Sequence, residues 1–289
     1  MGNDLTYQFR NASILLKVIV VNAVLFLTIY LGSFLFGIPQ GRLVSWLVLP
    51  DDPLSLVLQP WSLITYSFLH FGVWHLVFNM LWLYWFGKIA LNLFNAKRFL
   101  TVYLLGGLFG GLFYVFAYNL FPVFVNTSGH LIGASAAVMA IMVFMATYSP
   151  NTEMRIFMFT VKLWHIAAFV ILLDLVQIPT SGNAGGLLAH VGGAGFGYIY
   201  ASQMTKGNDI GTWFENGIDW FVNLFKSRTQ KPFRKVHRTA RPTPGKPKSN
   251  GEKTTDQIKV DGILDKIGKS GYESLTKAEK DFLFNAGKE

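Results

Sequence analysis

The 289-residue chain carries 25 Lys and Arg against 16 Asp and Glu, a formal net charge of +9, and no cysteine. Hydrophobic residues make up 52% and charged residues only 14%, where a soluble domain usually carries about 25% charge. The missing thiols exclude a disulfide framework, a cysteine nucleophile and a thiolate metal site. The charge is unevenly placed: eight Lys/Arg and five Asp/Glu lie in residues 1–205, and seventeen and eleven in residues 206–289. An apolar body therefore precedes a polar, basic tail. A lipid-facing, cytoplasmic role explains that tail more simply than nucleic acid does, and no nucleic-acid partner is expected.

In chain order, Met1 to Thr6 fits a myristoylation pattern, but a polytopic chain needs no lipid anchor. No cleavable secretion signal is expected, because the first apolar run is too long and lacks a small-residue cleavage site. A bilayer core needs about 17–25 apolar residues per helix. Six stretches qualify: Val18–Phe36, Trp74–Leu91, Phe99–Phe121, Leu131–Thr147, Leu163–Ile178 and Leu187–Met204. The loop Gly37–Val73 contains Pro39, Pro50, Pro53 and Pro60, which forbid one regular helix. It reads as a half-embedded interfacial loop. Asp51 and Asp52 within it are expected to be solvated.

After the sixth stretch, Trp213, Phe214, Ile218, Phe221, Val222 and Phe225 recur at helical spacing. They predict an amphipathic helix over 206–226, lying on the membrane surface. Residues 227–255 are rich in Lys, Arg, Pro, Thr and Gly and read as a flexible basic linker. Residues 256–289 predict a small helical hairpin, whose second helix opens with a capping box from Thr276 to Glu279. Arg10, Lys17, Lys88, Lys97, Arg98, Arg155, Lys162 and Lys206 flank one set of connections, and the other set holds only Arg42. The positive-inside rule then puts both termini in the cytoplasm. It also puts the starts of spans two, four and six at the outer face.

Those three starts carry the chemistry. Polar residues inside a membrane are costly and mark functional sites by default. Ser135 opens span four, His190 lies near the start of span six, and His75 with Asn79 opens span two. A serine hydroxyl is a poor nucleophile until a base takes its proton, and His190 is the best base at that depth. Gly193 and Gly197 form a small-xxx-small pattern that lets span six touch the Gly133, Ala134, Ala136, Ala137 and Ala140 of span four. Contact of that kind brings Ser135 within reach of the imidazole. His75 and Asn79, at i and i+4, share a helix face and can both donate to a developing oxyanion. Read singly, His75 also fits an interfacial residue and Asn79 a helix–helix contact.

A metal site is the rival use of His75 and His190, and it would need a third ligand. Asp174 is the only acid inside a span. It either orients His190 as a triad acid or hydrogen-bonds elsewhere in the bundle. His70 and His130 flank the outer region as candidate cavity residues. His165 and His237 lie on the other side.

His75-x-x-x-Asn79, Gly133-x-Ser135 and Ala189-His190-x-x-Gly193-x-x-x-Gly197 together resemble the rhomboid intramembrane serine proteases. The resemblance covers about residues 14–205. It implies an all-α membrane protein: a six-transmembrane-helix bundle over 1–205 with a polar C-terminal tail. It further implies a Ser135–His190 dyad, an oxyanion site at His75 and Asn79 backed by Gly133 and Ala134, and no cofactor or metal. Substrates would be transmembrane segments of other membrane proteins, cut near the outer face. The first loop and span five would form a lateral access route. The location would be a bacterial inner membrane. The tail is similar to a C-terminal extension on rhomboids of Bacteroidetes-type bacteria.

Two departures stand out. Ala136 takes the last place of the family's Gly-x-Ser-Gly, and helical dihedrals there suit alanine. Leu91, after Phe86-Gly87, replaces a frequent glutamate and touches packing rather than the dyad. The alternative is a catalytically inactive relative that binds transmembrane helices. A transporter would normally show repeated halves, and the sequence has no internal repeat.

Overall fold

The computed structural model describes residues 2–156, 158–225 and 255–286. The chain divides into two compact units, Met1–Ser227 and Arg228–Glu289. The first is helical apart from two two-stranded ribbons, so the all-α expectation holds with a small β addition.

Helix α1 (Gly2–Asn11) precedes α2 (Ile14–Phe36). The Ser13 hydroxyl caps α2 by accepting the Leu16 N–H at 3.2 Å. The helix stops at Gly37, whose φ of 62° is left-handed. The proline-rich loop is broken into α3 (Gln40–Leu43), strand β1 (Leu49–Pro50), α4 (Pro53–Leu58), α5 (Ser62–Thr65) and a 3-10 turn at Tyr66–Phe68. It is tied down rather than loose. The Thr65 hydroxyl donates to Leu47 O at 2.7 Å, and the Tyr66 hydroxyl to Gly107 O at 2.7 Å. Asp51 and Asp52 are also more than solvated loop residues. Asp51 accepts the Gly129 N–H at 2.8 Å, and Asp52 caps α4 by accepting from the Ser55 N–H.

Next come α6 (Val73–Leu93) and α7 (Ala96–Leu120), the latter capped by Asn95. Strand β2 (His130–Leu131) pairs antiparallel with β1 and leads to α8 (Ser135–Tyr148). A hairpin of β3 (Glu153–Ile156) and β4 (Phe159–Lys162) joins α8 to α9 (Leu163–Gln177). The Asn183-capped α10 (Ala184–Thr205) and then α11 (Thr212–Phe225) complete the unit. Six helices thus lie where six apolar stretches were expected. The fourth starts at Ser135 rather than Leu131, because His130–Leu131 pair with the first loop and Gly133 holds a φ of 117°. By length and composition α2, α6 and α7 suffice to cross a membrane, while α8 and α9 are shorter apolar helices. Three spans are supported on that ground, not six.

Helix α8 is the core. Every residue from Ala136 to Ala146 is buried, as expected of a helix that is apolar all round. The peripheral helices turn apolar side chains outward, among them Leu27 and Phe34 on α2, Phe78 on α6, Phe116 on α7, and Phe169 and Leu172 on α9. So many large apolar side chains left exposed are unusual on a soluble monomer and suit lipid. At the other end of the bundle, Arg98 pairs with Asp209 and with Glu215 (2.8 Å), while Lys97 pairs with Asp219 (2.5 Å), fixing α11 to α7. Burial opposes ionisation of Asp209, but the Gly211 N–H, the Tyr200 hydroxyl and Arg98 hold its carboxyl below the ordinary range.

The second unit is a hairpin of α12 (Thr255–Ser270) and α13 (Lys277–Ala286), turning at Gly271 (φ 76°). Residues 227–254 of the expected linker lie outside the described residues. Glu279 accepts the Thr276 N–H at 2.7 Å and the Lys266 ammonium at 2.9 Å. The Thr276 N–H, followed by Lys266, lowers its pKa from 4.5 to about 2. A depressed folded pKa stabilises above the unfolded value. Protection of the first turn of α13 against hydrogen exchange should therefore be full above about pH 4.5 and fade as pH falls towards about 2. Glu279→Gln should remove that dependence.

Candidate functional site

Ser135 is the first residue of α8 and is half-buried. Its backbone N–H is one of the helix-start donors that have no partner within the helix. The preceding Gly133 donates its N–H to Tyr66 O at 3.0 Å, which anchors the turn to the first loop. A Cβ at Gly133 would stand 2.7 Å from His75 Cε1 and Nε2. Both the left-handed backbone and the imidazole against it therefore require glycine. Gly133→Ala is expected to cost about 1–3 kcal/mol from backbone strain, with His75 displaced as well. Thermal denaturation of the purified protein would register it.

A cavity of about 710 Å³ opens over this turn. Ser135, His190, His75 and Asn79 all line it, coming from α8, α10 and α6. Its walls continue along Trp82, Met139, Met142 and Val170. No hydrogen bond joins Ser135 to His190 among the described residues. Catalytic pairs commonly tighten only around substrate. His190 Nδ1 is instead bonded to Asp174 Oδ2 at 2.7 Å. Asn79 is buried and donates one amide hydrogen to His75 O at 2.9 Å, leaving its second hydrogen.

The sequence placed His70 and His130 together as cavity candidates. His130 lines the cavity, but His70 does not. His70 is fully buried, 3.5 Å from the Ala134 N–H through Nε2, and its ring meets the His75 ring at 4.9 Å edge to face. It supports the turn from behind. The signal for it was its place just ahead of a helix start, which does not distinguish a lining residue from a supporting one.

Helices α8 and α10 touch backbone to backbone. A Cβ on Gly193 would collide with Ala136 O, and one on Gly197 with Ala140 O. The Ala136 methyl points at Gly110 of α7, where an added Cβ would meet it at 2.5 Å, and Ala136 does not line the cavity. The departure at this position is therefore absorbed in helix packing.

A family model described as Rhomboid domain matches residues 57–206. A second, a family of unknown function (DUF6576), matches residues 247–286. The chain is 32% identical over 158 residues to RHOMBOID-like protein 12, mitochondrial, of Arabidopsis thaliana, covering 50% of this chain and 47% of that protein. Against the Homo sapiens Presenilin-associated rhomboid-like protein, mitochondrial, identity is 29% over 164 residues, covering 55% and 41%. Against Rhomboid protease GlpG of Yersinia enterocolitica it is 31% over 88 residues, covering 30% and 31%. The chain thus spans less than half the length of these relatives. The family match and the apolar helices indicate a membrane protein, while most of these relatives' names are mitochondrial and do not support the bacterial inner membrane expected from the sequence. The domain match takes in more than half of the chain and contains Ser135, His190, His75 and Asn79 alike; this is a member of the rhomboid family.

Proposed function

We propose that the chain is an intramembrane serine endopeptidase that cuts transmembrane segments of other membrane proteins. The observation that carries the reading is the convergence of Ser135, His190, His75 and Asn79 from three helices on one cavity. Helix α8 has 14 residues and so is about 21 Å long. It falls short of the roughly 30 Å hydrocarbon layer. A nucleophile at its first residue then lies beneath the surface, with the cavity giving water a path to it.

The chemistry follows from the groups present. His190 Nε2 takes the Ser135 proton as Oγ bonds to the scissile carbonyl carbon and the C=O electron pair moves to oxygen. The Ser135 N–H, the Asn79 amide and the His75 ring are the donors available to that oxyanion. As the C–N bond breaks, the imidazolium returns its proton to the leaving nitrogen. Water then repeats the cycle on the acyl-serine. In the same reading residues 1–205 form a six-span domain with both termini on the cytoplasmic side. Residues 206–226 lie along the lipid surface, and 256–289 form a small cytoplasmic hairpin. The partners are single transmembrane helices and the bilayer itself, with no cofactor and no nucleic acid.

One observation favours a second reading, an inactive relative that only binds transmembrane helices: Ser135 and His190 are not hydrogen-bonded. Incubating the purified protein with tagged single-span proteins in detergent separates the two. Fragments ending at or near a transmembrane segment support the protease. Co-purification of intact substrates without fragments supports the binder.

A further inference from the structure

We infer that Asp174 is a positioning residue of the site, holding His190 in the tautomer and orientation that a general base needs. The inference deepens the reading of Ser135 and His190 and rests on it. Asp174 lies one turn from the end of α9, and His190 in the second turn of α10. The connection between the two helices is short, which brings the two side chains to one depth. Asp174 is 8% exposed, and its carboxylate meets His190 Nδ1 at 2.7 Å. No Lys or Arg pairs with it among the described residues. A carboxylate buried on an apolar helix needs a partner, and here the partner is the imidazole.

The bond has a chemical consequence. A carboxylate only accepts, so Nδ1 must donate, and the proton of neutral His190 resides there. Nε2 is then the basic nitrogen, the one left for the Ser135 hydroxyl. When Nε2 takes that proton, the ring becomes a cation 2.7 Å from an anion. The pair is therefore tighter in the protonated state than at rest, which is what accelerates a step rather than merely binding a ligand. The other polar side chains lining the same cavity include His75 and Asn79 from α6, Tyr114 and Tyr118 from α7, Ser128 and His130 ahead of α8, Ser135 from α8 and Asn183 at the start of α10. None of them is an anion. Among the described residues, Asp174 is the carboxylate that pairs with the imidazole.

A purely structural role is the competing account. Helix α9 buries only Leu163, Ile166, Ala167 and Asp174, so the bond to His190 also ties its far end to the bundle. Asp174→Asn separates the two. Asparagine keeps the volume and a hydrogen bond, so a mere tie survives. It removes the charge, and its amide can donate to Nδ1, leaving the proton on Nε2, where it blocks the base. We expect kcat for a single-span substrate to fall by about 100-fold or more with KM nearly unchanged. Asp174→Glu should recover part of the loss.

Nitrogen-15 NMR of the histidines in the full-length protein, with His190→Gln to assign the signal, reads the tautomer without any turnover. The expected result is Nδ1–H at His190 in the wild type and a shift towards Nε2–H in Asp174→Asn. Wild-type kcat in Asp174→Asn, or Nε2–H at His190 in the wild type, overturns the inference. If Asp174→Asn fails to fold, the wild-type tautomer decides alone. Cleavage by a Ser135→Ala protein would instead overturn the underlying reading while leaving the tautomer result intact, so the two failures are distinguishable.

Discussion

Replacing Ser135 with alanine is expected to abolish cleavage of a single-span substrate while leaving the protein folded. The substitution removes one oxygen from a half-buried residue at a helix start, a place where alanine keeps the helical backbone. Among the described residues the Ser135 hydroxyl makes no hydrogen bond, and its backbone place in α8 is kept by alanine, so stability should move by about 0.5 kcal/mol at most. The chemistry loses its covalent step entirely. Donors at His75, Asn79 and the helix start still stabilise an oxyanion, but no acyl-enzyme can form. A fall in kcat of about 10⁴-fold or more follows from losing a member of a nucleophile–base unit. Comparing fragment yield with the thermal midpoint of the same sample checks both halves of the expectation.

The second large effect is structural. Gly193→Leu should prevent α10 from seating against α8. The added Cβ meets the Ala136 carbonyl oxygen and carbon of the facing backbone, not a side chain that can swing away. Ordinary overpacking costs about 1–3 kcal/mol because side chains and backbone shift to relieve it. Here relief means moving two helices apart, and those helices carry Ser135 and His190. The protein should be recovered in low yield, with a sharply lowered thermal midpoint and no activity. Gly195 is the control two residues on: a Cβ there meets nothing within 4 Å. Gly195→Ala should be neutral or stabilising by up to about 1 kcal/mol, since alanine is the better helix former. Equal effects at the two positions would mean that the α8–α10 contact is not what limits the fold.

The helices were legible because a run of apolar residues long enough to cross lipid has few soluble counterparts; three of their starts were read three or four residues late, at Val18, Phe99 and Leu187, where the structure begins the helices after the caps Ser13, Asn95 and Asn183. The turn before Ser135 was not legible. Leu131, Ile132 and Ala134 read as the beginning of an apolar helix, and hydropathy carries no record of the φ of 117° at Gly133 or of the pairing of His130 with Pro50. The ribbon from Glu153 to Lys162 escaped for a related reason, since four-residue strands leave almost no periodic signal. Within the site, residue type and matched depth pointed to Ser135, His190, His75 and Asn79. Partnership was beyond the sequence: Asp174 could be picked out as the only acid in a span, but the bond to His190 depends on how α9 and α10 rotate about their axes. His70 shows the converse. Its position suggested a lining residue, and packing made it a support behind Ala134.

The central claim is that Ser135 is a nucleophile activated by His190, and covalent labelling tests it most directly. The full-length protein in detergent is treated with a fluorophosphonate, and the modified residue is located by mass spectrometry. The account predicts one adduct, on Ser135, formed at a rate that collapses in His190→Ala. An unlabelled Ser135 in folded protein, or labelling that proceeds equally without His190, would contradict it.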